Sequence, residues 1–392
     1  MKRLRIVADA HIHAVREAFS HIPDHQIELR VLEHQDITRQ ALRHADVLIT
    51  RSSTQVNARL LDDTPVRFVA TATIGDDHFD KSYLQRRGIH HANAAGSSTG
   101  SVVEYMLTVL LELHMRGVLH LPAATIGIIG AGRIGGALAR VCRRLGLQVL
   151  LNDPPRARRE GASGFETLSE LLARADLLSL HTPLTHHGLD ATHHLLGEAQ
   201  LATFKGDIII NAARGACIDN QALLGWLNAD RRHFAVLDCW EHEPAPNPRL
   251  VQHPQMLLAT PHIAGHSLDG KAANTWYAYC ALCRWLGVSP SWNMATSLPE
   301  PPAPATIARS GDPWHAVHQA AVALYPIQRD HDRMQTIARL PESERGQAFT
   351  RYRRHYPVRR AWHRQGVRFL EPDARTVQLA TMLGMRVIEE TP

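Results

Sequence analysis

One stretch constrains the fold of this chain more than any other: TIGIIGAGRIGGALARV, residues 125–141. The apolar run TIGII has the character of a buried strand. Three glycines then follow in a GxGxxG spacing, Gly130, Gly132 and Gly135, and a helix-compatible run begins at once with Arg133 and Ile134. The first glycine permits a tight turn, the second lets backbone approach a pyrophosphate, and the third lets helix and strand pack closely. The helix N-terminus offers free N–H groups and a partial positive charge to phosphate. The spacing alone is weak, since a helix–strand turn can use glycine for packing only. Here the strand–turn–helix context is right. Asp153 ends the next apolar run, LQVLLND, about 20 residues on, where a carboxylate can accept from both ribose hydroxyls. Together these features predict a dinucleotide site. Asp153 favours NAD because it would repel a 2′-phosphate, while Arg156, Arg158 and Arg159 either soften that preference or lie at the solvent edge.

The rhythm on either side fits such a site. Before residue 97, the apolar runs LRIVA, IELRVL, VLIT, VRFVATAT and IHHANA alternate with helix-compatible stretches, which predicts a small parallel α/β sheet. A long helical stretch opens at Ser98 or Thr99. A second series follows: TIGIIG, LQVLLND, DLLSLHT, DIIINAARG, HFAVLDCW and QMLLATPH. Continuous apolar strands with helices between them are the mark of a doubly wound parallel sheet. AANTWYAYCALCRWLG reads as a helix, PSWNMATSLPEPPAPAT as a proline-rich linker, and the remainder as an α+β module.

In an open α/β sheet, ligands bind beyond the carboxyl ends of the strands. Arg214 follows DIIINAA, Glu241 and Glu243 follow HFAVLD, and His262 follows MLLATP. A guanidinium, a carboxylate and an imidazole on one sheet edge suit hydride transfer between NAD and a 2-hydroxy acid. Arg214 can hold a substrate carboxylate bidentately and polarise the adjacent carbonyl. His262 can take the hydroxyl proton as hydride leaves. A neighbouring carboxylate would fix its tautomer and favour the charged ring. Each residue alone has a plainer reading, as a surface salt bridge or a loop residue; their joint placement carries the inference.

GAGRIG, NAARG, DCWEHEP and TPHIAG resemble, in order and spacing, the D-2-hydroxyacid dehydrogenase family. The resemblance implies an active site of Arg214, Glu243 and His262. It implies NAD contacts at Asp153, Thr182, Ala212, Ala213, Arg214, Asp238 and Gly265, beside the glycine turn. It also implies a split substrate domain. The expected architecture is α/β: a Rossmann-type doubly wound sheet (98–267), a smaller flavodoxin-like substrate domain (1–97, completed by a returning helix at about 268–287) and a C-terminal α+β dimerisation module (292–392). One branch of the family extends the likeness through RSSTQVN, FVATATIGDDHFD, HIAGHSLDGKA and LYPIQRDHDRMQ, nearly the whole chain. That branch implies a small phosphorylated hydroxy acid as substrate, a homodimer through the C-terminal domain, and substrate contacts at Ser52, Thr73 and His266. The chain departs from the pattern at His266, where the branch has tyrosine, at Asp76, and at Ala95–Thr99. Arg51, Lys271 and C-terminal arginines are the candidates for the phosphate. Another enzyme of the family, of the hydroxypyruvate or phosphoglycerate type, and an NAD-sensing binding protein on the same fold are the alternatives.

Composition excludes other classes. No apolar run reaches the roughly 18 residues of a membrane helix, and no signal-peptide core is visible. Five cysteines in 392 residues do not make a disulfide framework, which fits the cytoplasm. The net charge of +5 gathers in RYRRHYPVRRAWHRQGVRF, residues 351–369, either a solvated helix face or a surface packed on a second subunit. No nucleic-acid-binding pattern is present. No metal is expected: CALC has no second pair, and the histidine pairs His186–His187 and His193–His194 have no acidic residue at ligand spacing.

Overall fold

A computed structural model describes residues 2–388. The chain divides into two compact units, Met1–Ser98 with Ser267–Glu300, and Thr99–His266 with Pro301–Pro392.

The first unit is built on five parallel strands: β1 (Lys2–Asp9), β2 (His25–Leu32), β3 (Val47–Thr50), β4 (Phe68–Thr71) and β5 (His90–Ala92). Their order, β2-β1-β3-β4-β5, is the flavodoxin-like one. VLIT and FVAT are buried at every position, which is why they read as unbroken apolar runs. Helix Leu268–Leu286 returns to this unit and packs Ala278, Tyr279, Leu282 and Cys283 against Leu4, Ile6, Val47 and Phe68. Burying one such leucine stabilises by about 2 kcal/mol. Cys283 is therefore core. The helix starts at Ser267, whose hydroxyl accepts from the Gly270 N–H, and ends at Gly287 with φ 73°.

The second unit carries β6 (Thr125–Ile129), β7 (Gln148–Asn152), β8 (Leu177–Leu180), β9 (Ile208–Asn211), β10 (Phe234–Leu237) and β11 (Met256–Ala259), all parallel, in the order β11-β10-β9-β8-β6-β7. The order reverses between β6 and β8, so the loops at their carboxyl ends open a crevice there. Helix Thr99–Met115 is buried from Ser101 to Leu113. A helix that is apolar on every side must be covered on every side. The C-terminal segment supplies part of that cover.

In that segment β12 (Ala305–Ile307) pairs in parallel with β13 (Val367–Phe369). A parallel pair needs a long crossover. It consists here of helices Pro313–Leu324, Ile327–Ala338 and Glu342–Arg354, followed by the single turn Trp362–Gln365. Val317, Ala320 and Leu324 join Leu107, Leu110 and Leu138 in one apolar core. Described residues of the C-terminal segment from Ala305 to Val387 thus share a core with the nucleotide-binding sheet, where the sequence reading drew a boundary at 292. The basic aromatic stretch 351–369 is built into this unit: Tyr356, Trp362 and Phe369 are buried, and Arg359 and Arg360 are only 5% and 4% exposed. Among the described residues no helix is long and apolar enough to cross a membrane.

Candidate active site

The glycine turn shows why its residues are glycines. A Cβ on Gly130 (φ 89°) would meet the His181 carbonyl carbon at 2.8 Å and Thr182 Cγ2 at 2.9 Å, because the turns after β6 and β8 touch at the crevice. A Cβ on Gly135 would lie 2.1 Å from the Gly130 carbonyl oxygen. At Gly132 it would meet nothing within 4 Å, so this position faces open space. Gly132 caps helix Arg133–Arg144 without a side-chain hydrogen bond, leaving the first N–H groups, those of Arg133 and Ile134 among them, for a phosphate. Asp153 ends β7 as expected. Its Oδ2 accepts from the Ala131 N–H at 3.0 Å and its Oδ1 from the Arg156 N–H at 3.0 Å, which ties the carboxylate to the glycine turn. The nearby arginines are engaged: Arg156 and Arg159 pair with Glu160, and Arg158 with Asp190. Thr182 is half-buried and donates to Cys217 Sγ at 3.4 Å. An open glycine, an uncapped helix terminus and an anchored carboxylate fit NAD.

Three loops carry the reactive groups in the same unit. The Asn211 side chain shapes the turn after β9: its Nδ2 donates to the Arg214 carbonyl at 2.9 Å and its Oδ1 accepts from the Ala213 N–H at 3.0 Å. Arg214 is half-buried, with Nη1 donating to the Ala213 carbonyl at 2.8 Å, and Ala212 beside it is half-buried too. Gly215 follows because nothing larger fits; a Cβ there would lie 1.9 Å from the Trp240 carbonyl carbon. Trp240 spaces all three loops. Its indole donates to the Thr260 carbonyl at 2.8 Å, and its N–H donates to Glu243 Oε1 at 2.9 Å.

Glu243 Oε2 then meets His262 Nδ1 at 2.8 Å. The imidazole is thereby held in one orientation, and its Nε2 makes no hydrogen bond among the described residues. Burial works against the Glu243 charge, but the His262 charge and hydrogen bond, with Arg353, outweigh it and hold this carboxyl below its ordinary value. His262 stands in a turn with φ 55° and not on a helix, so it shares no helix face with His266. Asp238 braces this turn. It is 1% exposed and accepts from Thr260 Oγ1 (2.7 Å), the Ile263 N–H (2.8 Å) and the Ala264 N–H (2.9 Å). Its role as a cofactor contact was expected; its three bonds run to the loop that presents His262. Gly265 and His266 follow, both half-buried, with the His266 ring 5.7 Å from that of Tyr356. The Cys239 thiol donates to the Ala213 carbonyl at 3.3 Å. Burial and the charges of Asp238 and Glu243 keep it protonated, which removes it as a nucleophile.

Two functional contributions escaped the sequence reading. Arg353, in helix Glu342–Arg354, donates from Nε to the His262 carbonyl at 3.3 Å, and Arg359 donates to the Ala264 carbonyl at 2.8 Å. The C-terminal segment therefore buttresses the histidine turn from within the same unit. The only signal in the sequence was the basic stretch itself. The second is the pairing of Glu241, already placed after HFAVLD by the sequence, with His194: its Oε1 lies 2.7 Å from His194 Nε2, the acidic partner that the histidine pairs lacked.

In the first unit Ser52 is exposed just beyond β3. Thr73 lies beyond β4, its hydroxyl 2.6 Å from that of Thr71 and 3.0 Å from the Gly75 carbonyl. The unexpected carboxylate, Asp76, is compensated locally. Lys81 Nζ lies 2.8 Å away and Asn93 Nδ2 donates at 2.9 Å. Against the opposing effect of burial, these partners hold Asp76 below its ordinary range. Lys271 is lowered from the usual lysine value by burial and by the charge of Arg51.

A dinucleotide crevice beside an oriented Glu–His pair and an arginine defines an NAD-dependent dehydrogenase of hydroxy acids, and the comparisons agree. Residues 112–264 match the model of the D-isomer specific 2-hydroxyacid dehydrogenase NAD binding domain. The chain is 43% identical over 360 residues to the erythronate-4-phosphate dehydrogenase of Marinobacter nauticus, covering 91% of this chain and 92% of that one. It is 42% identical over 384 residues to that of Azotobacter vinelandii, covering 97% and 99%. Among solved structures it is similar to the TT0316 protein of Thermus thermophilus (TM-score 0.59, 26% identity, 73% of this chain and 98% of that one). The D-lactate dehydrogenase of Aquifex aeolicus, complexed with NAD and lactic acid, shares the fold (TM-score 0.59, 21% identity, 72% and 95%). The chain belongs to the D-isomer specific 2-hydroxyacid dehydrogenases and, within them, to the erythronate-4-phosphate dehydrogenase family.

Proposed function

We propose that the protein oxidises 4-phospho-D-erythronate at C2 to 3-hydroxy-2-oxo-4-phosphooxybutanoate, a step of pyridoxal 5′-phosphate biosynthesis. The observation that carries this reading is the 42% identity to an erythronate-4-phosphate dehydrogenase over 97% of the chain, with the oriented Glu243–His262 pair intact.

NAD, when bound, supplies the hydride acceptor; Gly130, Gly132, Gly135, Arg133, Ile134, Asp153, Thr182 and the Ala212–Arg214 turn would hold it. Arg214 binds the substrate carboxylate and polarises the C2 oxygen as the carbonyl forms. His262 Nε2 accepts the C2 hydroxyl proton. The imidazolium so formed is stabilised by Glu243 at Nδ1, whose charge is secured by Trp240 and His262. In the reductive direction the same nitrogen returns the proton.

Ser52, Thr73 and His266 enter this reading one by one, as the substrate contacts that the family resemblance implies. Arg51 and Lys271 hold the phosphate: burial and then the Arg51 charge lower Lys271, and an anion beside the two cations offsets both effects. The protein acts as a homodimer in which the 292–392 segment supplies the contact.

The test is a substrate panel with purified protein and NAD, following NADH formation. 4-Phosphoerythronate should exceed glycerate, lactate and 3-phosphoglycerate in kcat/KM by orders of magnitude. No preference for the phosphorylated four-carbon acid would sink the specific reading and leave a broader hydroxyacid dehydrogenase. Absence of hydride transfer with every acid would favour a purely NAD-sensing role.

A further inference from the structure

Two of the four histidines of the loop LTHHGLDATHHLL, His193 and His194, unused by the chemistry above, lie beside one carboxylate, Glu241. His193 and His194 stack at 4.0 Å between ring centroids, and His186 lies 4.8 Å from His193. His194 Nε2 is 2.7 Å from Glu241 Oε1. One donor atom each from His193, His194 and Glu241 lies within 4.8 Å of the others.

The carboxylate is set in place before any ligand arrives. Glu241 is 14% exposed at its side chain, and its Oε2 accepts from the Asn220 N–H at 2.8 Å, leaving Oε1 for the histidine side. His194 is fixed as well: its N–H donates to the Ala216 carbonyl at 2.7 Å, and its backbone sits at φ 50°, a conformation few non-glycine residues adopt. His193 is exposed, so an ion has a route in.

We propose that His193, His194 and Glu241 form a binding site for a divalent transition-metal ion of the imidazole-preferring kind, Zn²⁺, Ni²⁺ or Cu²⁺, with His186 or water completing the shell. Imidazole with carboxylate is the donor set those ions take, whereas Mg²⁺ and Ca²⁺ take oxygen. Ligand bonds of about 2.0–2.1 Å place tetrahedral donors about 3.3 Å apart, so His194 Nε2 and Glu241 Oε1, 2.7 Å apart, open slightly to admit the ion while the exposed His193 turns its ring toward it. The ion replaces the hydrogen shared by His194 and Glu241, and Asn220 remains as the outer partner that orients the carboxylate. Glu241 stands two residues before Glu243, so a bound ion would tether the loop that orients His262.

The site is tested by titrating the purified chain with Zn²⁺ in competition with a chromophoric chelator. The wild type should show one tight site above the weak background of its other histidines. His193→Ala, at an exposed position that cannot unfold the chain, and Glu241→Gln, which keeps an acceptor for Asn220, should each weaken that site at least about tenfold. His194→Asn suits the same backbone and should do likewise. His262→Asn should leave it intact. Unchanged affinity and stoichiometry in His193→Ala would overturn the proposal. So would loss of the tight site in His262→Asn alone, which would place the ion on Cys239, Glu243 and His262.

Discussion

Replacing Glu243 with glutamine keeps the shape of the loop and removes one charge. The carboxylate makes two bonds, 2.9 Å from the Trp240 N–H and 2.8 Å to His262 Nδ1. The amide oxygen can still accept from one of these partners, but it cannot stabilise an imidazolium that forms during the reaction. A hydrogen bond to a charged group contributes about 1.5–3 kcal/mol. The His262 and Glu243 side chains are 31% and 22% exposed, so solvent screens part of this. About 2 kcal/mol is the estimate, which corresponds to roughly 30-fold in rate. Steady-state kinetics should show that loss in kcat, with NAD affinity unchanged by fluorescence titration. A variant within about threefold of wild type would refute the argument that Glu243 acts on the charge of His262. The same carboxyl gives a pH signature. Its folded-state value lies below the ordinary 4.5, so its contribution to stability is complete above 4.5 and is lost as pH falls through the lower folded value. The stability gap between wild type and Glu243→Gln, measured by denaturant unfolding, should narrow as pH drops below that range.

Gly215→Ala places a Cβ 1.9 Å from the Trp240 carbonyl carbon. Overpacking of about 1–3 kcal/mol or more should lower the melting temperature and cut kcat/KM at least about tenfold, and a variant that melts and turns over like wild type would contradict the packing described. Asp153→Asn keeps the helix cap but removes the charge that repels a 2′-phosphate. The ratio of kcat/KM for NADP over NAD should rise at least about fivefold, since two charges about 4 Å apart repel by about 1 kcal/mol in water; an unchanged ratio would remove Asp153 from cofactor choice. Arg353→Met deletes the bond to the His262 carbonyl. It should lower kcat/KM by roughly fivefold, for about 1 kcal/mol, with NAD affinity unaffected. Wild-type kinetics would show that the C-terminal segment does not support the turn.

The strands were legible because a buried parallel strand needs nothing beyond its own residues to declare itself. VLIT, FVAT, DLLSL and DIIIN each became a strand at its expected place. The glycine turn was legible for the same reason: its geometry is set within a dozen residues. Arg214, Glu243 and His262 could be placed on one edge from strand order alone. What joins them could not. Trp240 reaches Thr260 and lies against Gly215, and Asp238 reaches past Thr260 to Ile263 and Ala264, bonds that exist only once three loops are folded together. Arg353 lies 91 residues beyond His262, and Glu241 lies 47 beyond His194, so neither pairing leaves a mark in local spacing. The arginines and aromatic residues of 351–369 left two readings open, a solvated helix face or a surface packed on a second subunit, and the structure instead buries Tyr356, Trp362 and Phe369 in their own unit. The same chain covers them because helix Thr99–Met115 needs burial on every side.

The central claim is that His262 moves the substrate proton from a turn built to present it. His262→Asn tests it most directly, because asparagine accepts the left-handed backbone that this position requires (φ 55°), so chemistry is removed without straining the loop. NADH formation from 4-phosphoerythronate, measured beside NAD affinity for the same sample, should fall at least about a thousandfold while NAD still binds as in wild type. Turnover within tenfold of wild type, with binding intact, would contradict the account.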